Sequence, residues 1–263
     1  MRRAIAVALC LAPGVQCALG AGDGELSLGA GLAYSTGTYG TSTETRILSV
    51  PLTGRYDLGR WVFKLTVPLL HVTGASNVIP GIGNVTVTSS NSRGRGRGGV
   101  SESVSGPGDT VASATYNTYY DSASKLGLDL TGRLKLPTGD ADRGLGTGST
   151  DESFQADLYK TYDRVTLFGD LGYTFFGHSE FIELRNALHY GAGASYKLDA
   201  TDSAGLSLDG RQRVTPGGPP QRELTAFWNR RVDKARRMQA YFLVGLENGS
   251  PDWGMGVSAA YVF

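Results

Sequence analysis

Apolar and polar residues alternate along most of this chain, and the stretch from Lys125 to Leu136, KLGLDLTGRLKL, does so with the fewest errors. Leu126, Leu128, Leu130, Leu134 and Leu136 share one side of an extended backbone with Gly132. Lys125, Asp129, Thr131, Arg133 and Lys135 share the other with Gly127. Successive side chains of a strand point to opposite faces, so the pattern predicts a strand with one apolar and one charged face. A wall between lipid and water needs that polarity. The segment that follows, PTGDADRGLGTGST (137–150), has no helical period and predicts a loop.

The same period recurs over 24–36, 45–56, 61–72, 109–118, 153–162, 165–176, 187–198, 203–214, 223–232, 238–247 and 253–263. With the opening stretch, this predicts twelve strands of about ten residues, the length that crosses a bilayer when tilted. The connections near 57–60, 119–124, 162–164, 199–202 and 233–237 are short, and each holds an Asp. Those at 37–44, 73–108, 137–150, 177–186, 215–222 and 248–252 are mostly longer and richer in Gly or Pro. Short turns at one end and long loops at the other are the signature of an outer-membrane barrel. The expected fold is therefore all-β: a single antiparallel transmembrane β-barrel with periplasmic turns, extracellular loops and both termini on the periplasmic side. A secreted β-sandwich is the competing architecture. Its strands usually run about five to six residues. Aromatic residues near the strand ends (Tyr34, Trp61, Tyr116, Phe176, Trp253, Phe263) suit membrane–water girdles better.

Composition agrees, with 38 Gly and 13 Tyr in 263 residues. The N-terminus, MRRAIAVALCLAPGVQCALGAG, has a basic start, a short apolar run and small residues before a cleavage point. The expected division is a cleaved signal peptide over 1–21 and the barrel over 22–263. Both cysteines, Cys10 and Cys17, fall in the signal, so a disulfide framework, a thiolate metal site and a cysteine nucleophile are not expected. Loss of Arg2 and Arg3 with the signal leaves 23 basic against 24 acidic residues, a net charge of −1 that does not favour nucleic acid. After the signal no apolar run is long enough for a membrane-spanning helix.

Two resemblances follow from particular residues. The last strand, with Phe263 terminal and Tyr261, Ala259 and Val257 at alternate positions, is similar to the C-terminal signal by which the barrel assembly machinery recognises outer-membrane proteins. WVFKLTVPLLHVTG (61–74), SGPGDT (105–110), LDLTGRLKLPTGDADRGLGTGSTD (128–151) and FGDLGYTFFG (168–177) together resemble the outer-membrane transporter-like family described as phenol meta-pathway degradation proteins. That resemblance implies an outer-membrane barrel with a role in uptake of small, aromatic compounds.

For a barrel of twelve strands the lumen is intermediate between filled and open. The expected lumen-lining, solute-binding set is Lys125, Asp129, Arg133 and Lys135, joined by His71, Asp170, Arg211 and Arg213. Such charges either line a polar path that selects solutes or pair with one another and hold the barrel shut. The basic residues between Arg211 and Arg237 read either as a wall for anions or as a solvated turn. GLGTGST (144–150) lacks the following helix that a phosphate loop requires. The SRGRGRGG tract (92–99) suits lipopolysaccharide phosphates better than RNA in an exported chain. His178-Ser179-Glu180 is the one place where a His/Ser/acid arrangement could form, and sequence adjacency seldom assembles one.

The expectation is thus an outer-membrane channel for passive diffusion of small solutes, with hydrophobic or aromatic compounds as the candidate class. It carries no cofactor, no metal and no catalytic residue, and its partners are outer-membrane lipid, lipopolysaccharide and the assembly machinery. A closed structural or adhesive barrel using the 73–108 loop is the second expectation, and an outer-membrane hydrolase the third.

Overall fold

The computed structural model describes residues 24–75, 77–84 and 102–263. Among them are fifteen strands and no helix: β1 (Glu25–Gly37), β2 (Thr45–Leu58), β3 (Trp61–Gly74), β4 (Val78–Ile79), β5 (Gly83–Asn84), β6 (Glu102–Pro107), β7 (Thr110–Asp121), β8 (Leu126–Leu136), β9 (Asp151–Tyr162), β10 (Val165–Phe175), β11 (Ala187–Lys197), β12 (Asp202–Arg211), β13 (Gln221–Arg231), β14 (Arg236–Gly245) and β15 (Trp253–Val262). Twelve of them, β1 to β3 and β7 to β15, form an antiparallel sheet in chain order. β15 returns to β1 over ten residue pairs, from Ser27–Val262 to Thr36–Trp253, and the sheet closes into a barrel. The Phe263 N–H donates to the Leu26 carbonyl at 2.9 Å and extends that seam.

All twelve expected strands are present with ends within three residues. One segment differs. Residues 102–107 were expected in an irregular loop but form β6, which pairs with Leu69–Gly74 while β7 pairs with Trp61–Thr66 of the same strand. The Gly108 N–H donates to the Pro68 carbonyl (2.8 Å), so β6 and β7 run on as one interrupted strand beside β3. The sequence ESVSGP hides this because that part of the hairpin carries polar residues where the barrel wall carries apolar ones. Within the 73–108 connection, β4 and β5 pair as a small separate hairpin, Val78 with Asn84 and Ile79 with Gly83. The signal segment and the Arg-Gly tract lie outside the described residues.

The outer wall is apolar. Leu28, Leu52, Leu130, Leu158, Leu171, Leu206 and Val257 are all exposed, with Leu171 at 56%. A continuous surface of this kind marks contact with lipid rather than water. Aromatic pairs sit at both rims: Tyr34 with Trp253 at 5.4 Å towards the long loops, and Trp61 with Tyr116 at 4.8 Å towards the short turns. Phe176, expected in a girdle, instead packs against an apolar cluster of the loops.

Buried apolar packing is concentrated at the long-loop end. Tyr39, Ile47, Leu70, Val72, Val78 and Leu145 form one cluster; Ile79, Ile82, Ile182, Ala187 and Val214 form another. Loops that are distant in sequence therefore pack together as a cap over the barrel mouth.

Candidate functional site: the lumen and its mouth

Lys135, near the end of β8, holds the mouth together. Its Nζ lies 3.0 Å from Asp109 Oδ2 and 2.8 Å from Asp151 Oδ2, and it also contacts the Thr147 hydroxyl. Asp109 in turn accepts the Gly139 N–H (3.0 Å) and the Thr147 N–H (3.1 Å). Asp151 accepts the Ser149 hydroxyl (3.0 Å) and the Gly177 N–H (3.1 Å). The 137–150 loop is thus fastened along its length. A Cβ at Gly146 would collide with the Asp109 carboxylate, which explains a glycine there. Gly144 and Gly148 have φ of +80° and +70°, a region that side chains rarely tolerate. Two of the segments carrying the family resemblance, 105–110 and 128–151, meet at this one lysine.

Arg211, at the end of β12, reaches across the mouth. It donates to the carbonyls of Gly81 (2.9 Å) and Ile82 (3.1 Å), and so anchors the β4–β5 hairpin inside the rim. Gln221 adds a bond to the Gly249 carbonyl at 2.9 Å. Below the hairpin lies a cavity of about 450 Å³ whose walls include Arg133, Lys135, His189, Asp209, Arg211 and Glu223.

The lumen wall is polar because every strand presents its second parity inward. Asp129, Asp157 and Asp170 are almost fully buried from solvent and face the interior from β8, β9 and β10. Asn117 Nδ2 donates to Asp129 Oδ1 at 3.0 Å, and Ser207 donates to Asp209 Oδ2 at 2.8 Å. His189 Nε2 lies 3.3 Å from Gln155 Oε1 on the same inner surface. Towards the short-turn end the inner face becomes aromatic: Phe168 and Phe227 stand 6.3 Å apart, and Tyr159 lies over Gly127.

Of the expected lumen residues, Asp129, Arg133, Lys135, Asp170 and Arg211 lie on inward positions of their strands. Three do not. Lys125 has φ of +53° and is exposed in the turn before β8, because the strand begins at Leu126. His71 shares the outward parity of Trp61, Phe63 and Leu65; its Nδ1 lies 2.6 Å from Ser105 Oγ on the outer side of the β3–β6 hairpin. Arg213 is exposed beyond the end of β12. His178 is exposed, whereas Ser179 is buried and donates to the Thr147 carbonyl at 2.5 Å, so this Ser serves the cap. Asp109, Asp151, Asp157, Asp209 and Glu223 were not singled out from sequence. Strand parity points four of them inward, and Asp109 needed the loop contact to be found.

Three of the five short turns are capped by their aspartates. Asp121 accepts the N–H groups of Ala123 and Ser124, Asp199 those of Thr201 and Asp202, and Asp233 those of Ala235 and Arg236. These bonds pull the Asp199 carboxyl down to about 2, led by the Thr201 N–H. The Asp233 carboxyl is lowered too, first by its bond to Arg236 and then by the backbone. Arg236 pairs with Asp233 at 2.6 Å and Arg237 with Glu25 at 3.4 Å, so part of the basic cluster is engaged in local pairs. Among the described residues no group of three or more His, Cys, Asp or Glu is arranged to hold a metal ion.

A closed antiparallel barrel with a lipid-facing exterior, a polar interior and a loop-capped mouth defines a membrane β-barrel of the outer-membrane type. Residues 20–217 match the family described as "Putative MetA-pathway of phenol degradation", and the chain belongs to that family. Among solved structures it is similar to the COG4313 outer membrane channel from Pseudomonas putida F1, with a TM-score of 0.68 at 15% identity over 94% of this chain and 97% of that one. The KdgM porin gives 0.54 at 8% identity over 90% and 99%. The β domain of the Bordetella autotransporter BrkA gives 0.52 at 11% identity over 91% and 99%. Identities this low speak to the barrel fold. No curated protein matches the chain.

Proposed function

We propose that this protein is an outer-membrane channel for passive passage of small solutes, reached after signal-directed export. The observation that carries the proposal is the polar, charged inner wall around the cavity of about 450 Å³ beneath the β4–β5 hairpin. A barrel serving only as a scaffold or adhesin needs no charged surface facing such a space. The similarity to a channel and to a porin supports the same reading at the level of fold. The family description favours aromatic compounds, while the lining favours solutes that are soluble in water; a small molecule with both characters suits them together. Purified protein in planar bilayers and in liposome-swelling assays tests the proposal. Solute flux and ion conductance are expected, and a correctly folded barrel with neither would overturn it.

A further inference from the structure

The inward carboxylates form a single line. Asp129 is directly opposite Asp157, and Asp157 opposite Asp170. Asp170 faces Gly191, Gly191 faces Asp209, and Asp209 faces Glu223. Directly opposed positions on antiparallel strands lie ~5 Å apart, so these five acids make one row across six neighbouring strands. Gly191 leaves room for it: a Cβ there would meet Asp170 Oδ2 and Asp209 Oδ1 together. Asp129 lies near the short-turn end of β8 and Glu223 near the long-loop end of β13. Barrel strands tilt by roughly 35–45°, so a row perpendicular to them also climbs the axis. It descends from the capped mouth towards the opposite end.

Like charges placed opposite one another destabilise a sheet. Among the described residues no salt bridge falls on the row: Lys135 is engaged by Asp109 and Asp151, Arg55 by Asp57, and Arg211 by the hairpin carbonyls, while Arg133 acts on Asp157 and Asp170 without a direct ion pair. Among the described residues Asp129 Oδ2 and Asp170 Oδ1 have no hydrogen-bond partner, although the two residues are 1% and 9% exposed. Separately, the amide of Asn229 and the Gln239 Oε1, paired in register on β13 and β14, are buried on the inner face with no hydrogen-bond partner among the described residues. Just below the row stand the rings of Tyr159, Phe168 and Phe227, from which a positive charge gains cation–π attraction.

We propose that the lumen selects cations and that its solutes are small ammonium compounds, the carboxylate row attracting the charge and the rings accommodating its carbon substituents. This rests on the channel reading above. Cationic side chains also face the interior, Arg55, Lys64, Arg133, Lys135 and Arg211, and the row together with Asp57, Asp109 and Asp151 outnumbers them. In a narrow pore all of these charges lie within a Debye length, ~8 Å, of a passing ion.

The test is the reversal potential of the full barrel in a planar bilayer under a potassium chloride gradient. Preference for potassium over chloride by about threefold or more is expected, since an excess of one sign of charge along a lumen sets selectivity. The Asp157→Asn, Asp170→Asn, Asp209→Asn triple variant is expected to bring the ratio close to unity; if it does not fold, Asp170→Asn alone should lower it. Replacing potassium by tetramethylammonium should leave a cation current. A ratio near unity or a chloride preference in the native barrel overturns cation selection, and a potassium preference untouched by the substitutions overturns the role of the row. Exclusion of tetramethylammonium overturns the ammonium class. Absence of any conductance from a folded barrel sinks the channel reading itself, and this inference with it.

Discussion

Lys135 Nζ lies 3.0 Å from the carboxylate of Asp109, a residue 26 positions earlier at the open end of the same β7–β8 hairpin. With Asp151 at 2.8 Å on its other side, the lysine ties the start of β7, the end of β8 and the start of β9 into one knot. Removing one partner of such a cluster leaves buried charge of the other sign uncompensated. Lys135→Met, which keeps most of the side-chain volume, should destabilise the barrel by about 3 kcal/mol in urea unfolding from lipid vesicles. It should also speed tryptic cleavage after Arg143. Unchanged cleavage would mean that the loop is held by its apolar contacts alone.

Arg211 holds the β4–β5 hairpin through two backbone carbonyls rather than through a side chain. Arg211→Ala should free the hairpin and raise single-channel conductance, with more frequent current fluctuations. A conductance equal to that of the native barrel would show that the hairpin does not restrict the path.

The outer wall is expected to respond to charge by depth. Leu171 sits midway along β10 and is 56% exposed to the lipid side. Leu171→Arg should cost about 2–4 kcal/mol of stability, the range for an arginine placed on a barrel at the bilayer midplane. The paired control Thr166→Arg, at the short-turn end and inward, should cost less. Equal costs would argue against the inside–outside assignment of β10.

Tyr39, in the loop after β1, is buried in the cap, and burial pushes its phenol up to about 12 from an ordinary value near 10. A raised acid keeps its proton in the folded state while the unfolded chain ionises. The stabilisation is complete below about pH 10 and is lost as pH rises towards about 12. Tyrosinate absorbance should therefore contain one late-titrating phenol that Tyr39→Phe removes. Superimposable titrations of the two proteins, after scaling for one tyrosine, would refute the burial of this ring in solution.

The barrel was legible in the sequence because each wall residue answers a local question: the alternation of Leu126 to Leu136 shows on which side of β8 a residue lies, whatever its partners. The site was only half legible for the same reason. Parity places Asp129, Arg133 and Asp170 inside, and applied to β3 it also places His71 outside with Trp61 and Phe63. Parity fails at strand ends, where the φ of +53° at Lys125 and the termination of β12 at Arg211 remove Lys125 and Arg213 from the wall. Which acids form a row depends on register between strands, and register is set by pairing rather than by any one segment. The contact of Asp109 with Lys135, and the use of Arg211 as a clasp, are likewise relations between loops.

The ten residue pairs between β1 and β15 join the two ends of the chain. They are the contacts of greatest sequence separation in the barrel, so their loop-closure entropy is the largest that any strand pairing here must overcome. Every other barrel strand finds its neighbour next along the chain. Until the seam zips, the growing sheet has two free edges, β1 and β15, each able to pair with a foreign strand. Closing the seam removes both edges at once, so the pairing of β15 with β1 sets how long that exposure lasts.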